Sequence, residues 1–130
     1  MTLLALLFAC GDPCRHAPGC LVAEELAAGV LSVRAPAADD VWIVGAPDAS
    51  GPLFLHHDGA TTARMDTSAW ADHELWWVLP LADEVIAVGD RGTLLELDRA
   101  SGTAVAIDGP TDDMTFFGVW GASADDVWAV

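Results

Sequence analysis

An all-β chain is what this sequence predicts, and three observations carry the prediction. The first is self-similarity. Leu31-Ser-Val-Arg-Ala-Pro-Ala-Ala-Asp-Asp-Val-Trp-Ile-Val-Gly45, Leu75-Trp-Trp-Val-Leu-Pro-Leu-Ala-Asp-Glu-Val-Ile-Ala-Val-Gly89 and Phe117-Gly-Val-Trp-Gly-Ala-Ser-Ala-Asp-Asp-Val-Trp-Ala-Val130 align without a gap. The second is short apolar runs such as Val41-Trp-Ile-Val44, which lack alternation and suit strands covered on both faces. The third is Gly89-Asp-Arg-Gly92, a hairpin-turn signal. Asp40 and Glu84 lie 44 residues apart, and Glu84 and Asp126 lie 42 apart. That period is the length of a four-stranded propeller blade. The predicted fold is therefore a partial β-propeller of antiparallel blades, about two of them plus the start of a third.

Each unit reads the same way. Innermost strands are expected at 30–35, 75–79 and 116–120, and second strands at 40–45, 84–89 and 126–130. Third strands follow at 53–57 and 93–97, and fourth strands at 61–65 and 103–107. Asp58 matches Asp98 at an offset of 40, so the first unit carries four extra residues, placed within 46–51. Polar links occupy 66–73 and 108–113, which sets blades at about 30–72, 73–113 and 114–130. A helical turn or two is expected only within 21–28. A propeller needs at least four blades to close. The sequence thus reads as truncated in its third blade, and the chain is expected to associate or to be unstable alone.

The formal net charge is −15, with five Arg and no Lys, which repels phosphate backbones and excludes nucleic-acid binding. At 53% hydrophobic residues with six Trp, the chain is too apolar for a disordered acidic segment. No apolar run is long enough for a transmembrane helix.

The N-terminus carries a processing signal. Residues 3–9 form a short apolar run, and Leu7-Phe8-Ala9-Cys10 resembles a bacterial lipobox, although no basic residue precedes it. Residues 1–9 are expected to be a signal peptide and Cys10 a lipidated residue, with residues 10–29 as the anchor linker. Cys14 and Cys20 are then an even pair in a Pro- and Gly-containing loop, expected to form a disulfide after export. With His16 they would make at most three metal ligands at a spacing that fits no zinc pattern, so no metal is assigned. This places the protein outside the cytoplasm, on the outer membrane or the periplasm-facing envelope, with membrane contact through the lipid alone.

The candidate chemical residues are few. Asp39-Asp40, Asp83-Glu84 and Asp125-Asp126 tempt a calcium or glycosidase reading, but they recur in every unit. A catalytic pair is needed once, whereas a turn former is needed everywhere, and no D-x-D-x-D-G loop is present. These acids, with Trp42, Gly45, Gly89 and Trp128, are assigned to the repeat framework. His56 and His57 are adjacent on a strand and point to opposite faces, so they do not share a metal. His73 sits beside Asp72 and Glu74 without a nucleophile motif. Trp76 and Trp77 break the repeat where Ser32 and Val33 stand, and Trp76 is the candidate ligand contact, with core packing as the alternative. No catalytic residue and no cofactor is assigned.

At these residues the chain resembles a family. Asp39-Asp-Val-Trp-Ile-Val-Gly45, Asp90-Arg-Gly-Thr-Leu-Leu-Glu-Leu-Asp98 and Val119-Trp-Gly-Ala-Ser-Ala-Asp-Asp-Val-Trp-Ala-Val130 are similar to the D-D-V-W-A-V-G-x-x-G-T-I-L-H-W-D-G repeats of bacterial exported propellers. Such repeats occur in myxobacteria-like lineages and look distantly like sialidase-type and photosystem-assembly-factor-like propellers. The resemblance covers residues 30–130 and implies the fold. Ser123-Ala-Asp125-Asp-Val-Trp128 does not satisfy the sialidase S-x-D-x-G-x-x-W box, and no Gly-His…Trp-Asp pair of the WD40 kind occurs. Two functions follow. One is a non-enzymatic envelope scaffold that binds a protein or glycan, completed by further blades. The other is part of a carbohydrate-active, sialidase-like propeller whose catalytic residues lie outside this chain.

Overall fold

The computed structural model describes residue 23 and residues 25–130. Cys10, Cys14, Cys20 and the signal segment lie outside the described residues. The architecture is all-β. Strands β1 (Val30–Ala37), β2 (Asp40–Asp48), β3 (Gly51–His57) and β4 (Thr62–Arg64) form an antiparallel sheet in that spatial order. A second sheet repeats the meander with β5 (Leu75–Pro80), β6 (Glu84–Gly89), β7 (Leu94–Asp98) and β8 (Thr103–Ala106). A third pairs β9 (Val119–Ser123) with β10 (Asp126–Ala129). Residues 23 and 25–28 form no helical turn, against the expectation for 21–28, and a 3₁₀ turn at Ser68–Trp70 lies in the first polar link.

Turn chemistry explains where the chain reverses. At the β6–β7 hairpin, Arg91 and Gly92 take φ of 50° and 68°, the pair of positive values that a two-residue type I′ turn requires. Asp90 O accepts from Thr93 N at 2.8 Å, and Gly89 N donates to Thr93 O at 2.9 Å. Gly45 and Gly89 recur for another reason. A Cβ at either would overlap the carbonyl oxygen of the residue before the inner strand, Gly29 or Glu74. Those same oxygens accept from Ala46 N (2.9 Å) and Asp90 N (3.2 Å), so the glycine admits the bond that closes each inner hairpin.

The sheets stack face to face because the middle strands are apolar on both sides. One core joins Trp42, Val44 and Phe54 of the first sheet to Leu75, Val78, Val85, Ala87, Leu95 and Leu97 of the second. The other joins Ile86 and Val88 to Phe116 and Val119, with Val127 and Ala129 packed against them. Phe54, Leu75, Val78, Val85, Leu95 and Leu97 are wholly buried, each stabilising by roughly 1.5–3 kcal/mol on a transfer scale.

The register corrects the gapless alignment of the inner strands. Arg34 faces Trp42 and Trp120 faces Trp128, each eight residues on, but Leu79 faces Ile86, only seven on. The β5–β6 hairpin is one residue shorter and lacks the bulge that the other two hairpins carry at the turn end. Val33, Val78 and Val119 therefore share a position, and so do Ser32, Trp77 and Gly118. Trp76 stands where Leu31 does, not where Ser32 does. The third inner strand also starts later than expected, at Val119 instead of residue 116.

Candidate binding surface

A bulge at the start of each inner strand positions the aromatic residues. Pairing jumps from Val30 to Ser32 in β1 and from Leu75 to Trp77 in β5, which leaves Leu31 and Trp76 unpaired in the ladder. Phe117 repeats this, since its N–H and that of Gly118 both donate to Val130 O, at 2.6 and 3.2 Å. A bulge re-aims the side chain of its extra residue. Trp76 and Phe117 consequently meet across neighbouring sheets, edge to face with centroids 5.4 Å apart. Trp76 is half-buried, and its Nε1 has no hydrogen-bond partner among the described residues, nor does the buried hydroxyl of Ser32. Phe117 is exposed. Beside this row, Arg34, Trp77, Leu79, Val119, Trp120 and Trp128 line an open cleft of about 320 Å³. The Arg34 guanidinium lies 4.1 Å from the centre of the Trp77 ring, a cation over an aromatic face.

The acidic pairs are divided in their roles. Asp40 lies two residues before Trp42 on β2, hence on the same strand face. Its Oδ1 accepts from Trp42 Nε1 at 2.7 Å and lies 3.0 Å from His56 Nε2. His56 is the cross-strand partner of Trp42 and stacks on the indole at 4.1 Å. Arg99, from the second sheet, donates to Asp40 Oδ2 through Nη2 at 2.5 Å. Asp126 repeats the indole bond with Trp128 at 2.8 Å. In the second unit Ile86 replaces the tryptophan and Glu84 replaces the aspartate. The second acid thus binds an indole where one is present, instead of bonding turn backbone. Asp48, Asp58, Asp66 and Asp98 perform that turn role, each accepting a backbone N–H two or three residues on.

Electrostatics follow from these partners. Burial opposes the charge on Asp40, but the Trp42 N–H, then His56 and Arg99, outweigh it and hold the carboxyl below the usual range. Glu84 goes the other way. Burial raises it, and Glu96, Asp125 and Asp83 add repulsion. The Thr61 and Ala60 N–H groups hold Asp58 at about 2.

The remaining candidates are dispersed. His57 Nδ1 lies 3.1 Å from Thr62 Oγ1, on the face opposite His56. His73 Nδ1 is 2.6 Å from Thr93 Oγ1. Among the described residues no three His, Cys, Asp or Glu side chains converge on a point that would hold a metal ion. Sequence reasoning missed Arg99, Arg34 and Phe117. Only the positions of the two bulges would have marked Phe117, and nothing periodic marks the arginines. No family model, curated protein or solved structure matches the chain.

Proposed function

We propose that the chain is part of a non-enzymatic β-propeller scaffold, tethered to the cell envelope through Cys10, that binds a protein or glycan partner. The observation that supports this most is the repeated meander, whose faces stack through the same positions in successive units as propeller blades do. The commitment of Asp40 to Trp42, His56 and Arg99 favours a framework role for the acidic pairs. The Trp76–Phe117 row is the part of the surface that a partner would contact, because stacked and edge-on aromatics suit both sugar rings and apolar side chains.

The test has two arms. In cells supplied with a labelled fatty acid, the full chain takes up label and Cys10→Ala does not; equal labelling, or none in either, overturns the tether. In the second arm, purified protein is mixed with a fluorogenic sialoside. The scaffold reading expects no release of the fluorophore. Turnover of the sialoside by the purified chain would overturn it.

A further inference from the structure

The first two units differ at one place, beyond the end of their outermost strands. Arg64 and Ala106 are counterparts, since they pair with Leu55 and Leu95. The next residues, Met65 and Ile107, bond back to Phe54 O and Leu94 O in the same way. Arg64 reaches across to the β2–β3 hairpin. Its Nη1 donates to Asp48 Oδ2 at 2.6 Å, and its Nη2 to Asp48 Oδ1 at 2.9 Å and to Gly51 O at 2.8 Å. The buried Thr67 hydroxyl donates to Pro52 O at 2.7 Å, and Ser68 donates its N–H and hydroxyl to Asp66. The second unit lacks these side chains. Ala106 stands for Arg64, Gly109 for Thr67 and Pro110 for Ser68, and a proline offers neither N–H nor hydroxyl. A side chain at Gly109 would lie against Gly92 O, as Thr67 lies against Pro52 O. The result is a cleft of about 230 Å³ between Ala106 and the β6–β7 hairpin, and no residue after Asp112 lines it.

What lines the cleft suits a guanidinium. Asp108 and Asp112 stand exposed at its rim, and among the described residues no hydrogen bond or ion pair reaches either carboxylate. Arg91 lines it too, but its Nε lies 3.7 Å from Asp90 and its side chain is 57% exposed. Trp70, half-buried, supplies an aromatic face. A guanidinium stacks on such a face while its fork bonds carboxylates and carbonyls. We propose that this cleft binds an arginine side chain of a protein partner. That side chain takes, against Asp108 and the β6–β7 hairpin, the place that Arg64 takes against Asp48 and the β2–β3 hairpin in the first unit. The formal charge of −15 draws in a basic partner. The inference rests on the scaffold reading above for the partner being a protein, and it adds a contact separate from the Trp76–Phe117 row.

Titration of the full chain with the peptide acetyl-Gly-Arg-Gly-amide tests it, followed by the indole N–H resonance of Trp70. The expected result is a saturable shift that weakens at raised salt. The same peptide carrying citrulline, which keeps the shape and lacks the charge, gives none. Ala106→Arg restores the side chain of the first unit and abolishes binding. Asp108→Asn, at the exposed rim, weakens binding about tenfold, and it decides alone if Ala106→Arg disturbs the sheet. No shift with the arginine peptide overturns the proposal. So do equal shifts from the citrulline peptide, and so does undiminished binding in Asp108→Asn. A saturable shift with methyl galactoside in place of the peptide would assign the cleft to a sugar and overturn it too. The free peptide needs no tether, so failure here leaves the Cys10 and sialoside tests standing.

Discussion

The contact between the first and second sheets and the contact between the second and third use the same positions with different chemistry. At the first, Trp42 enters the neighbouring sheet under a polar cap of Asp40, His56 and Arg99, and Arg99 comes from that neighbouring sheet. At the second, Ile86 replaces the indole, and Glu84 faces Glu96, Asp125 and Asp83 with no cation in the group. One junction is apolar and clamped by charge. The other is apolar and strained by like charge. Burial thus suffices to stack these sheets, and the ionic cap adds strength and orientation where an arginine is within reach.

Removing the two central side chains gives the largest contrast. Trp42→Ala is expected to cost about 3–5 kcal/mol, and Ile86→Val about 1 kcal/mol, read as shifts in the urea midpoint. Equal losses would erase the distinction. The clamp itself comes next. A double-mutant cycle of Asp40→Asn with Arg99→Met should return a coupling of about 1–2 kcal/mol, between the values for exposed and buried pairs. A coupling near zero would reduce the cap to a surface contact.

Acid titration separates the junctions by sign. Asp40 is depressed in the folded chain, so its contribution is complete above the unfolded value, about 3.9, and is lost as pH falls through the folded one. Glu84 is raised, so its folded form favours the proton. Its contribution is complete below the unfolded value, about 4.3, and is lost as pH rises through the folded one. Urea midpoints across this acid range should flatten on the low side in Asp40→Asn. They should rise on the high side in Glu84→Gln. The smallest effect is a gain in stability from Glu84→Gln at neutral pH, in the same denaturation measurement, because the substitution removes the repulsion from Glu96, Asp125 and Asp83. A loss there would show that the Glu84 charge has a partner.

Much of this architecture was legible because its causes are local. Val85 and Val88 lie in an unbroken apolar run, which reads directly as a strand covered on both sides, and both are fully buried. Gly89-Asp-Arg-Gly92 marked its own turn through Gly92, whose positive φ suits glycine, although the other positive φ falls on Arg91, which the residue type does not foretell. The spacing of Asp40 and Trp42 placed both on one strand face, although the bond between them became clear only from coordinates. Where the reading slipped, equal spacing concealed a change. The shortened β5–β6 hairpin moved Trp76 from the place of Ser32 to that of Leu31, and a sequence period records length, not pairing.

Strand order, turn sites and the apolar character of both faces could be read from the chain alone, because unbroken apolar runs and turn chemistry act over a few residues. Tertiary structure decided which face meets which neighbour, that Arg99 closes on Asp40, and that Trp76 and Phe117 stand in one row. Those depend on the offset between stacked sheets. Bulges and hairpin lengths set that offset, and no local pattern in the chain encodes it.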